Sequence, residues 1–261
     1  MKTHKKKIQL IHIENCTSTQ DYLHGHVDEW LSRFPICVTA GSQSGGRGRH
    51  QRRWHSPPGL GLYFSWGFLL REKKSLPWVP LGAGVAVAET LKRFCSRRRI
   101  RLKWPNDVLL DGRKIAGILS ESRITSEGVI CICGIGINLN HLESDFPDDL
   151  RKRATSLRLS CGRSFEAAEI LPVILSRLDQ LHHSLEKRRI RGLRSRTRRL
   201  TRWMRFESLE FRGQSETRRG RFAGIARDGG LILLGANGNK EICYSGEVEW
   251  PDADNETISR R

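Results

Sequence analysis

The sequence has no apolar stretch that approaches the roughly 18 residues a membrane-spanning helix needs. Its N-terminal segment is basic, but the apolar run at residues 8–13 is short and contains Gln9 and His12, so no signal peptide is predicted. Acidic residues are also scarce, with 28 Asp and Glu against 46 Lys and Arg in 261 residues. The lack of a membrane-spanning run and of a signal peptide argues against a membrane or secreted protein and predicts a cytoplasmic one.

The spacing of the cysteines follows no metal-binding pattern. The seven cysteines are Cys16, Cys37, Cys95, Cys131, Cys133, Cys161 and Cys243. No two of them form a Cys-x-x-Cys pair. Cys131 and Cys133 are two residues apart, which places both on one face of a strand as small core side chains. Neither a zinc site nor a disulfide framework is therefore predicted.

Two common nucleotide-binding signatures are missing. No P-loop sequence occurs, and Gly134 and Gly136 do not complete a Gly-x-Gly-x-x-Gly pattern, so a dinucleotide-binding fold is not predicted. Positive charge, in contrast, is abundant. The net charge is +18, and residues 187–205 contribute ten Lys or Arg without one acidic residue. Such a charge fits a nucleic-acid-binding protein, and it fits an enzyme with polyanionic substrates equally well.

Hydrophobic periodicity divides the chain into two parts. The predicted strands of the first part are residues 8–13, 36–39, 61–70, 100–104, 114–122 and 129–140, and its predicted helices are residues 18–30, 82–99 and 165–187. The basic segment 187–205 either extends the last helix or bridges to the second part. In that second part, short apolar runs are separated by Asp228-Gly229 and Asn237-Gly238, pairs that favour tight hairpins and a small β-barrel.

A long loop at residues 41–58 is rich in glycine and arginine. The charged and aromatic side chains it offers include Arg47, Arg49, Arg52 and Trp54. Glycines let a backbone approach a ligand closely, guanidinium groups bind carboxylate or phosphate oxygens, and an indole gives a flat face to a ring. The same composition is also typical of a solvated basic loop or of an Arg-Gly-rich nucleic-acid-binding tail.

Two later segments carry polar residues next to strands. Lys114 begins an apolar strand, where an enclosed lysine would stabilise an anionic reaction centre, although an ordinary strand-end lysine fits as well. Asn106 and Asp107 form a turn signal. Asn138 and Asn140 alternate onto one face of a strand end, where they either read an adenine edge or are plain polar residues.

In combination, three segments resemble the signature sequences of the biotin–protein ligases, in the order and at the spacing of that family. They are Gly46-Arg47-Gly48-Arg49 with Trp54-His55-Ser56-Pro57, then Lys103-Trp104-Pro105-Asn106-Asp107 with Lys114-Ile115-Ala116-Gly117-Ile118-Leu119, and residues 134–140. Upstream, Ser18-Thr19-Gln20 is similar to the family's Ser-Thr-Asn biotin contact, and Gln43 matches a glutamine before the loop. The resemblance covers residues 11–140 strongly and 205–250 weakly.

The resemblance implies an α/β (α+β) fold in two domains. Residues 1–204 would form a mixed β-sheet catalytic domain of the biotin/lipoate ligase type, with helices on one side of the sheet. Residues 205–261 would form a small SH3-like C-terminal β-barrel. Many family members carry an N-terminal winged helix that binds operator DNA, but too few residues precede the first predicted strand to form one. We therefore expect no specific DNA binding, and the resemblance leaves homodimerisation open.

The resemblance also implies a reaction. The family activates biotin with ATP and Mg²⁺ as biotinyl-5′-AMP and transfers it to a lysine of a biotin carboxyl carrier protein, usually that of acetyl-CoA carboxylase. The implied catalytic residues are Arg49 and Lys114. The implied biotin-binding residues are Ser18, Thr19, Gln20, Gln43, Arg47, Gly48 and Gly117. The residues implied to bind ATP or the adenylate are Arg47, Arg49, Arg52, Trp54, Asn106, Asp107, Lys114 and Asn138. Asp107 is the one candidate protein ligand for Mg²⁺, which the phosphates would otherwise hold.

The sequence departs from the family pattern at two places. Gln20 stands where the family usually has asparagine, and His50-Gln51 stands where the second residue is often glycine, which removes loop freedom. Three other readings remain open beside a biotin ligase. They are a lipoate–protein ligase, which lacks this loop sequence, a ligase-like protein that binds biotin without transferring it, and a basic nucleic-acid-binding protein on a degenerate ligase scaffold.

Overall fold

A computed structural model describes residues 7–206, 208–213 and 216–249 of the chain. The helices are α1 (Thr19–Gly25), α2 (Val27–Trp30), α3 (Trp78–Phe94), α4 (Asp148–Arg151), α5 (Leu157–Cys161), α6 (Ala167–Glu186) and α7 (Ile190–Thr201). The strands are β1 (Gln9–Cys16), β2 (Ile36–Gln43), β3 (Gly61–Leu70), β4 (Ile100–Lys103), β5 (Asp107–Leu110), β6 (Arg113–Ile124), β7 (Val129–Asn138), β8 (Ser208–Arg212), β9 (Thr217–Ile225), β10 (Leu231–Leu234), β11 (Lys240–Cys243) and β12 (Glu247–Glu249). No helix within these ranges is long and apolar enough to cross a membrane.

The first seven strands form one mixed sheet in the order β1-β2-β3-β7-β6-β5-β4. β1 and β2 are parallel and are joined by the crossover through α1 and α2, as parallel neighbours require. The other neighbouring pairs are antiparallel. The predicted α/β class with a mixed main sheet is confirmed.

The side chains of β7 point alternately into the main core and to the opposite face of the sheet. The odd-numbered residues of 131–137 join the main core beneath α3 and α6, because successive strand residues point to opposite faces. On the other face, Ile130 and Ile132 pack against α1 and α2 in a second apolar cluster. Gly134 and Gly136 follow them on that face. The sheet therefore has helices on both sides, whereas the resemblance implied helices on one side only.

The last five strands form an antiparallel sheet in the order β11-β10-β9-β8-β12. The predicted tight turns are confirmed, with Gly229 at φ 99° between β9 and β10 and Gly238 at φ 80° between β10 and β11. Leu209 and Phe211 belong to the same apolar cluster as the main sheet. The division at residues 204 and 205 stays a proposal, and residues 250–261 of the predicted second domain lie outside the described residues.

Two element predictions are corrected. Residues 107–110, whose start was interpreted as a turn, form the additional strand β5. α3 begins at Trp78 rather than at residue 82 and ends at Phe94 rather than at residue 99. Its early start includes Pro80, which the first turn of a helix tolerates because its N–H would have no partner there. The basic segment does not extend α6. It forms the separate helix α7, followed by a 3₁₀ helix at Arg202–Phe206, and so bridges to the second part of the chain.

The prediction that the cysteines form no disulfide is wrong for one pair. Cys95, which follows α3, and Cys161, the last residue of α5, are joined by a disulfide, with their Cα atoms 6.3 Å apart. They are 66 residues apart in sequence, and no local pattern indicates that they meet. The other five cysteines are free thiols. Cys131 and Cys133 are buried in the core, as predicted.

Candidate functional site

A cavity of about 600 Å³ lies between the face of the main sheet next to α1, the loop after β2, and β12. Its size is typical of small-molecule sites. Every residue that the resemblance assigned to the site lines this cavity: Ser18, Thr19, Gln20, Gln43, Arg47, Gly48, Arg49, Arg52, Trp54, Asn106, Asp107, Lys114, Gly117 and Asn138. The fold thus brings together side chains from four distant stretches of the chain.

Buried polar groups at the start of α1 form one end of the cavity. The Ser18 hydroxyl caps the helix by accepting a hydrogen bond from the N–H of Gln20 at 3.2 Å. The N–H of Thr19 donates to Oε1 of Gln43 at 2.8 Å, and Nε2 of Gln43 donates to Oγ of Ser56 at 2.8 Å. These bonds fix the Gln43 amide between the helix and the end of the loop.

Glycines form the floor of the cavity on β6 and β7. A Cβ atom at Gly136 would lie 2.2 Å from Nε1 of Trp54, and one at Gly117 would lie 3.0 Å from the indole ring. A Cβ atom at Gly134 would lie 2.1 Å from Oε1 of Gln20. Missing side chains therefore let the indole and the amide lie directly on the sheet. Nε1 of Trp54 is buried without a hydrogen-bond acceptor among the described residues, a condition that a bound ligand group would relieve.

Lys114 brings a positive charge to this floor. Its Nζ atom lies 2.6 Å from Oδ1 of Asp107 and 5.5 Å from the centre of the Trp54 ring. The lysine backbone is fixed on both sides, because its N–H donates to the carbonyl of Arg153 at 2.8 Å and its carbonyl accepts from the N–H of Thr155 at 2.9 Å. The side chain is 36% exposed, so an anion that enters the cavity can reach the ammonium group.

Two arginines of the loop are held by the C-terminal sheet. Nη1 of Arg49 donates to the carbonyl of Gly246 at 2.8 Å, and Nη2 of Arg52 lies 2.7 Å from a carboxylate oxygen of Glu247. Nε2 of His50 lies 3.6 Å from the other oxygen of Glu247. Desolvation by burial lowers the pKa of Arg49, and the charge of Glu247 offsets this only in part. The loop is therefore joined to residues far from it in sequence.

Arg47 is held by carboxylates on the other side of the loop. Its guanidinium group lies 2.7 Å from Asp21 and 2.7 Å from Glu121. The Glu121 carboxylate also accepts a hydrogen bond from Nε2 of Gln20 at 2.7 Å and lies 2.7 Å from Nε2 of His24. Burial raises the pKa of Glu121, but the hydrogen bonds from Gln20 and His24 and the charge of Arg47 outweigh it, so the net pKa is lowered.

The two departures from the family pattern have visible consequences here. The side chain of Gln20 reaches Glu121 while it lies against the backbone of Gly134. His50 and Gln51 have φ angles of 52° and 60°, in the left-handed region that favours glycine. The loop thus adopts the backbone shape of a glycine-containing turn with side chains that disfavour it.

The asparagines use their amide groups within the protein. Nδ2 of Asn106 donates to the carbonyl of Ile118 at 2.8 Å, and Nδ2 of Asn138 donates to the carbonyl of Thr155 at 3.0 Å. Asn140 bonds to the segment before α6 and does not line the cavity. The interpretation of Asn140 as a reader of an adenine edge is therefore wrong. Asn106 and Asn138 shape the floor of the cavity.

The charged groups fit a magnesium ion only if a substrate provides most of its ligands. Within the described ranges, no group of three or more His, Cys, Asp or Glu side chains could hold a metal ion. Mg²⁺ prefers oxygen ligands, keeps several waters and is often held by substrate phosphates. Asp107 is the carboxylate next to Lys114, and it could contribute one ligand. The site therefore fits magnesium that enters with a triphosphate.

Sequence reasoning assigned no site role to several charged residues in or beside the cavity, among them Glu121, Lys103 and Glu247. Glu121 lies four positions after Gly117 on β6, so the two-residue period of a strand places it on the same face and could have indicated it. Lys103 lines the cavity, and desolvation by burial lowers its pKa against the opposing charge of Asp107. Glu247 also lines the cavity, and nothing in its local sequence indicates that it meets the loop.

Two family models match the chain. Residues 13–138 match the model described as the biotin/lipoate A/B protein ligase family, and residues 210–250 match the model described as the biotin protein ligase C terminal domain. The first match contains most of the residues that line the cavity. The second contains β11 and β12, and so includes the carboxylate that binds Arg52.

Individual proteins show the same likeness. The chain is 36% identical over 179 residues to the bifunctional ligase/repressor BirA of Bacillus subtilis (strain 168), a match that covers 67% of this chain and 54% of that protein. It therefore spans about half the length of that relative. It is 32% identical over 216 residues to the biotin–[acetyl-CoA-carboxylase] ligase of Paracoccus denitrificans, covering 78% of this chain and 86% of that protein. Its fold matches a biotin protein ligase from Aquifex aeolicus in complex with biotin and ATP, with a TM-score of 0.78, 30% identity and coverage of 92% and 97%.

Proposed function

We propose that this chain, which belongs to the biotin protein ligase family, activates biotin with ATP as biotinyl-5′-AMP and transfers biotin to a lysine of a biotin carboxyl carrier protein. The observation that carries the proposal is one cavity that joins a polar end at Thr19 and Gln43 to a cationic end at Arg49 and Lys114. Acyl-adenylate formation needs mainly that two anionic reactants be held together and their charge stabilised. This cavity offers both.

The polar end suits the ring of biotin. The ring urea has one carbonyl oxygen and two N–H groups, which hydroxyl and amide side chains can pair with. The groups proposed to address it are Ser18, Thr19, Gln20 and Gln43, and Arg47, Gly48 and Gly117 are proposed to line the rest of the biotin channel. Because Gln43 is already fixed by Thr19 and Ser56, little side-chain entropy is lost when biotin binds.

The cationic end suits the reacting groups. In the first step, a carboxylate oxygen of biotin bonds to the α-phosphorus of ATP, and the bond to the departing pyrophosphate breaks. Lys114 is proposed to stabilise the negative charge on the carboxylate and the α-phosphate. Arg49 is proposed to exchange the carbonyl of Gly246 for a phosphate oxygen, a stronger acceptor for a guanidinium group.

The nucleotide is proposed to lie toward the floor of the cavity. Trp54 offers its ring and its unpaired Nε1 donor, and Arg52 offers a second guanidinium group near the loop. Asn106 and Asn138 would act through the shape of the floor. Asp107 is the proposed protein ligand of a magnesium ion, which would offset the negative charge of the phosphates when bound with them.

In the second step, the amine of a carrier lysine attacks the acyl carbonyl, an amide bond forms, and AMP leaves with the electrons of the broken mixed anhydride bond. The proposed partner is the carrier protein of acetyl-CoA carboxylase or of a related carboxylase, because the Paracoccus relative is named for that substrate. We place the reaction in the cytoplasm, where ATP and such carriers occur. The division into domains at residues 1–204 and 205–261, a homodimer, and the lack of specific DNA binding stay predictions.

The proposal is tested by ATP-dependent transfer of biotin to a purified carrier domain. We expect the unchanged chain to transfer biotin. In Lys114→Ala the rate of transfer should fall by about 100-fold or more, because groups that stabilise charge in the transition state contribute rate factors of that order. Lys240→Ala is the matched control, because Lys240 is an exposed lysine of β11 that does not line the cavity. Transfer of lipoate instead of biotin, or full activity of Lys114→Ala, would contradict the proposal.

A further inference from the structure

The proposed reaction leaves the basic segment 187–205 without a role. The segment holds ten Lys or Arg and no acidic residue, which accounts for more than half of the net charge of +18. None of its residues lines the cavity. An enzyme that acts on biotin and ATP inside the cavity therefore does not need this charge for its chemistry.

One part of the segment has a structural role. Leu193, Thr197 and Thr201 recur with the helical period and are buried, so they form the side of α7 that packs on the protein. Arg196 and Arg199 lie 3.2 and 3.4 Å from the carboxylate of Glu89 on α3. Packing and this ion cluster explain how the helix is held in place.

Arg188 also lies 3.8 Å from the carboxylate of Glu72, but five exposed arginines have no such explanation. We define the α7 basic surface as Arg189, Arg191, Arg198, Arg202 and Arg205, all of which are exposed. None of them lies within 4.0 Å of a carboxylate in the part of the chain that the structure describes. Arg191 and Arg198 are seven residues apart on α7 and therefore point to the same side.

We propose that the α7 basic surface binds the phosphate backbone of nucleic acid without sequence preference, beside the ligase reaction. Guanidinium groups bind phosphate oxygens in a forked geometry and keep their charge at any physiological pH. Like charges at helical spacing destabilise a helix that has no carboxylates between them. A polyanion with evenly repeated charges relieves this repulsion in any register, and release of its counterions drives binding.

The surroundings of the surface disfavour an anionic membrane as its partner. Helices that lie on membranes insert large apolar side chains beside their basic residues. The large apolar residues that the described structure exposes are Leu10, Ile124, Leu142, Ile242 and Tyr244. All of these lie outside segment 187–205, and the apolar side of α7 is buried in the protein. The surface thus offers charge without an apolar group to insert.

The test is fluorescence anisotropy with labelled duplex DNA and single-stranded RNA of mixed sequence, over about 50 to 200 mM salt. The variant is Arg191→Gln with Arg198→Gln and Arg202→Gln. The matched control is Arg158→Gln with Arg163→Gln and Lys240→Gln, which removes as many exposed charges elsewhere. We expect salt-sensitive binding by the unchanged chain, and for the variant at least about tenfold weaker binding and a salt slope lower by about three. Binding by the control and pyrophosphate exchange by both variants should stay near the values of the unchanged chain.

Four results would overturn the proposal. The unchanged chain could fail to bind either nucleic acid at the lowest salt, or the control could lose as much affinity as the variant, which would mean that only net charge matters. The variant could keep its nucleic-acid binding but lose binding to vesicles of phosphatidylcholine and phosphatidylglycerol, which would indicate a membrane. A raised KM for the carrier protein with unchanged nucleic-acid affinity would indicate that the surface docks the carrier.

Discussion

The floor of the cavity on β6 and β7 differs from the loop above it in what holds it in place. The floor is a run of ladder hydrogen bonds in the middle of the sheet, with its other face packed in the main core. The tip of the loop, residues 47–53, is joined to the rest of the protein through charged side chains, with Arg47 bound to two carboxylates and Arg49 bound to one carbonyl. Burial and backbone pairing fix the floor, whereas charged groups fix the tip of the loop.

This difference suggests that the floor and the loop have different roles in the reaction. A rigid floor keeps Lys114 and the Trp54 ring in position before any ligand arrives, which is what electrostatic stabilisation requires. The loop arginines are bound to groups of the protein that substrate anions can replace. The floor should therefore respond to changes in packing, and the loop to changes in charge and backbone freedom.

The largest expected effect concerns His141, which follows the floor strand and is fully buried beside the ring of Phe146. Burial and the charge of His55 lower the pKa of His141 to about 4, below the ordinary imidazole value. The unfolded chain therefore binds a proton between about pH 6.5 and 4 that the folded chain does not. The free energy of unfolding should fall by up to about 3 kcal/mol as the pH drops through this window.

Denaturant unfolding at several pH values checks this prediction. His141→Phe keeps an aromatic ring but cannot titrate, so its stability should depend much less on pH in that window. His183→Gln, at an exposed position of α6, should keep the full dependence. Equal slopes for all three proteins would show that His141 is not the group responsible.

The next effect concerns packing of the floor. In Gly136→Ala the new methyl group would lie 2.2 Å from Trp54 Nε1, so the indole has to leave the sheet. We expect a loss of about 1–3 kcal/mol in the free energy of unfolding together with slower adenylate formation. Gly25→Ala is the control, because nothing lies within 4 Å of its Cβ position. Similar stability and activity for both variants would contradict a tightly packed floor.

Removing the negative charge between α1 and the loop should have a smaller effect, on KM for biotin. Glu121→Gln removes the anion that binds Arg47 and Gln20 and leaves Asp21 as the partner of the arginine. We expect an about tenfold higher KM for biotin, which corresponds to about 1.4 kcal/mol, with kcat nearly unchanged.

Steady-state kinetics at varied biotin concentration measures KM and kcat separately. Glu127→Gln, an exposed carboxylate in the turn after β6, is the control and should leave both constants unchanged. A fall in kcat with an unchanged KM would place Glu121 in the chemical step instead.

The smallest effect concerns the backbone of the loop. Gln51→Gly places glycine at φ 60°, where it costs no steric strain, and should stabilise the observed loop by up to about 1 kcal/mol. Trypsin cleavage within the loop should then become roughly fivefold slower. Gln51→Ala keeps the unfavourable angle and serves as the control. Equal cleavage rates for both variants would mean that this angle does not limit the loop.

The same contrast explains which features the sequence could predict. The apolar runs of β3, β6 and β7 are local features, so the sequence predicts these strands nearly at their observed bounds. The residues proposed to bind substrates were found through the resemblance, because each motif alone also fits ordinary turns and strand ends. Glu247, Gly246 and the Cys95–Cys161 disulfide depend on contacts between distant parts of the chain, which no local pattern encodes. β5 was missed because it has only four residues after a turn signal.

The most direct measurement is the biotin-dependent exchange of labelled pyrophosphate into ATP by the purified chain, without any carrier. This exchange reports adenylate formation alone, so it tests the cavity separately from the protein partner. We predict exchange that requires both biotin and Mg²⁺, and its loss by about 100-fold or more in Lys114→Ala on the floor and in Arg49→Ala in the loop. No exchange by the unchanged chain, or exchange that persists in both variants, would contradict the assignment of this cavity to biotin activation.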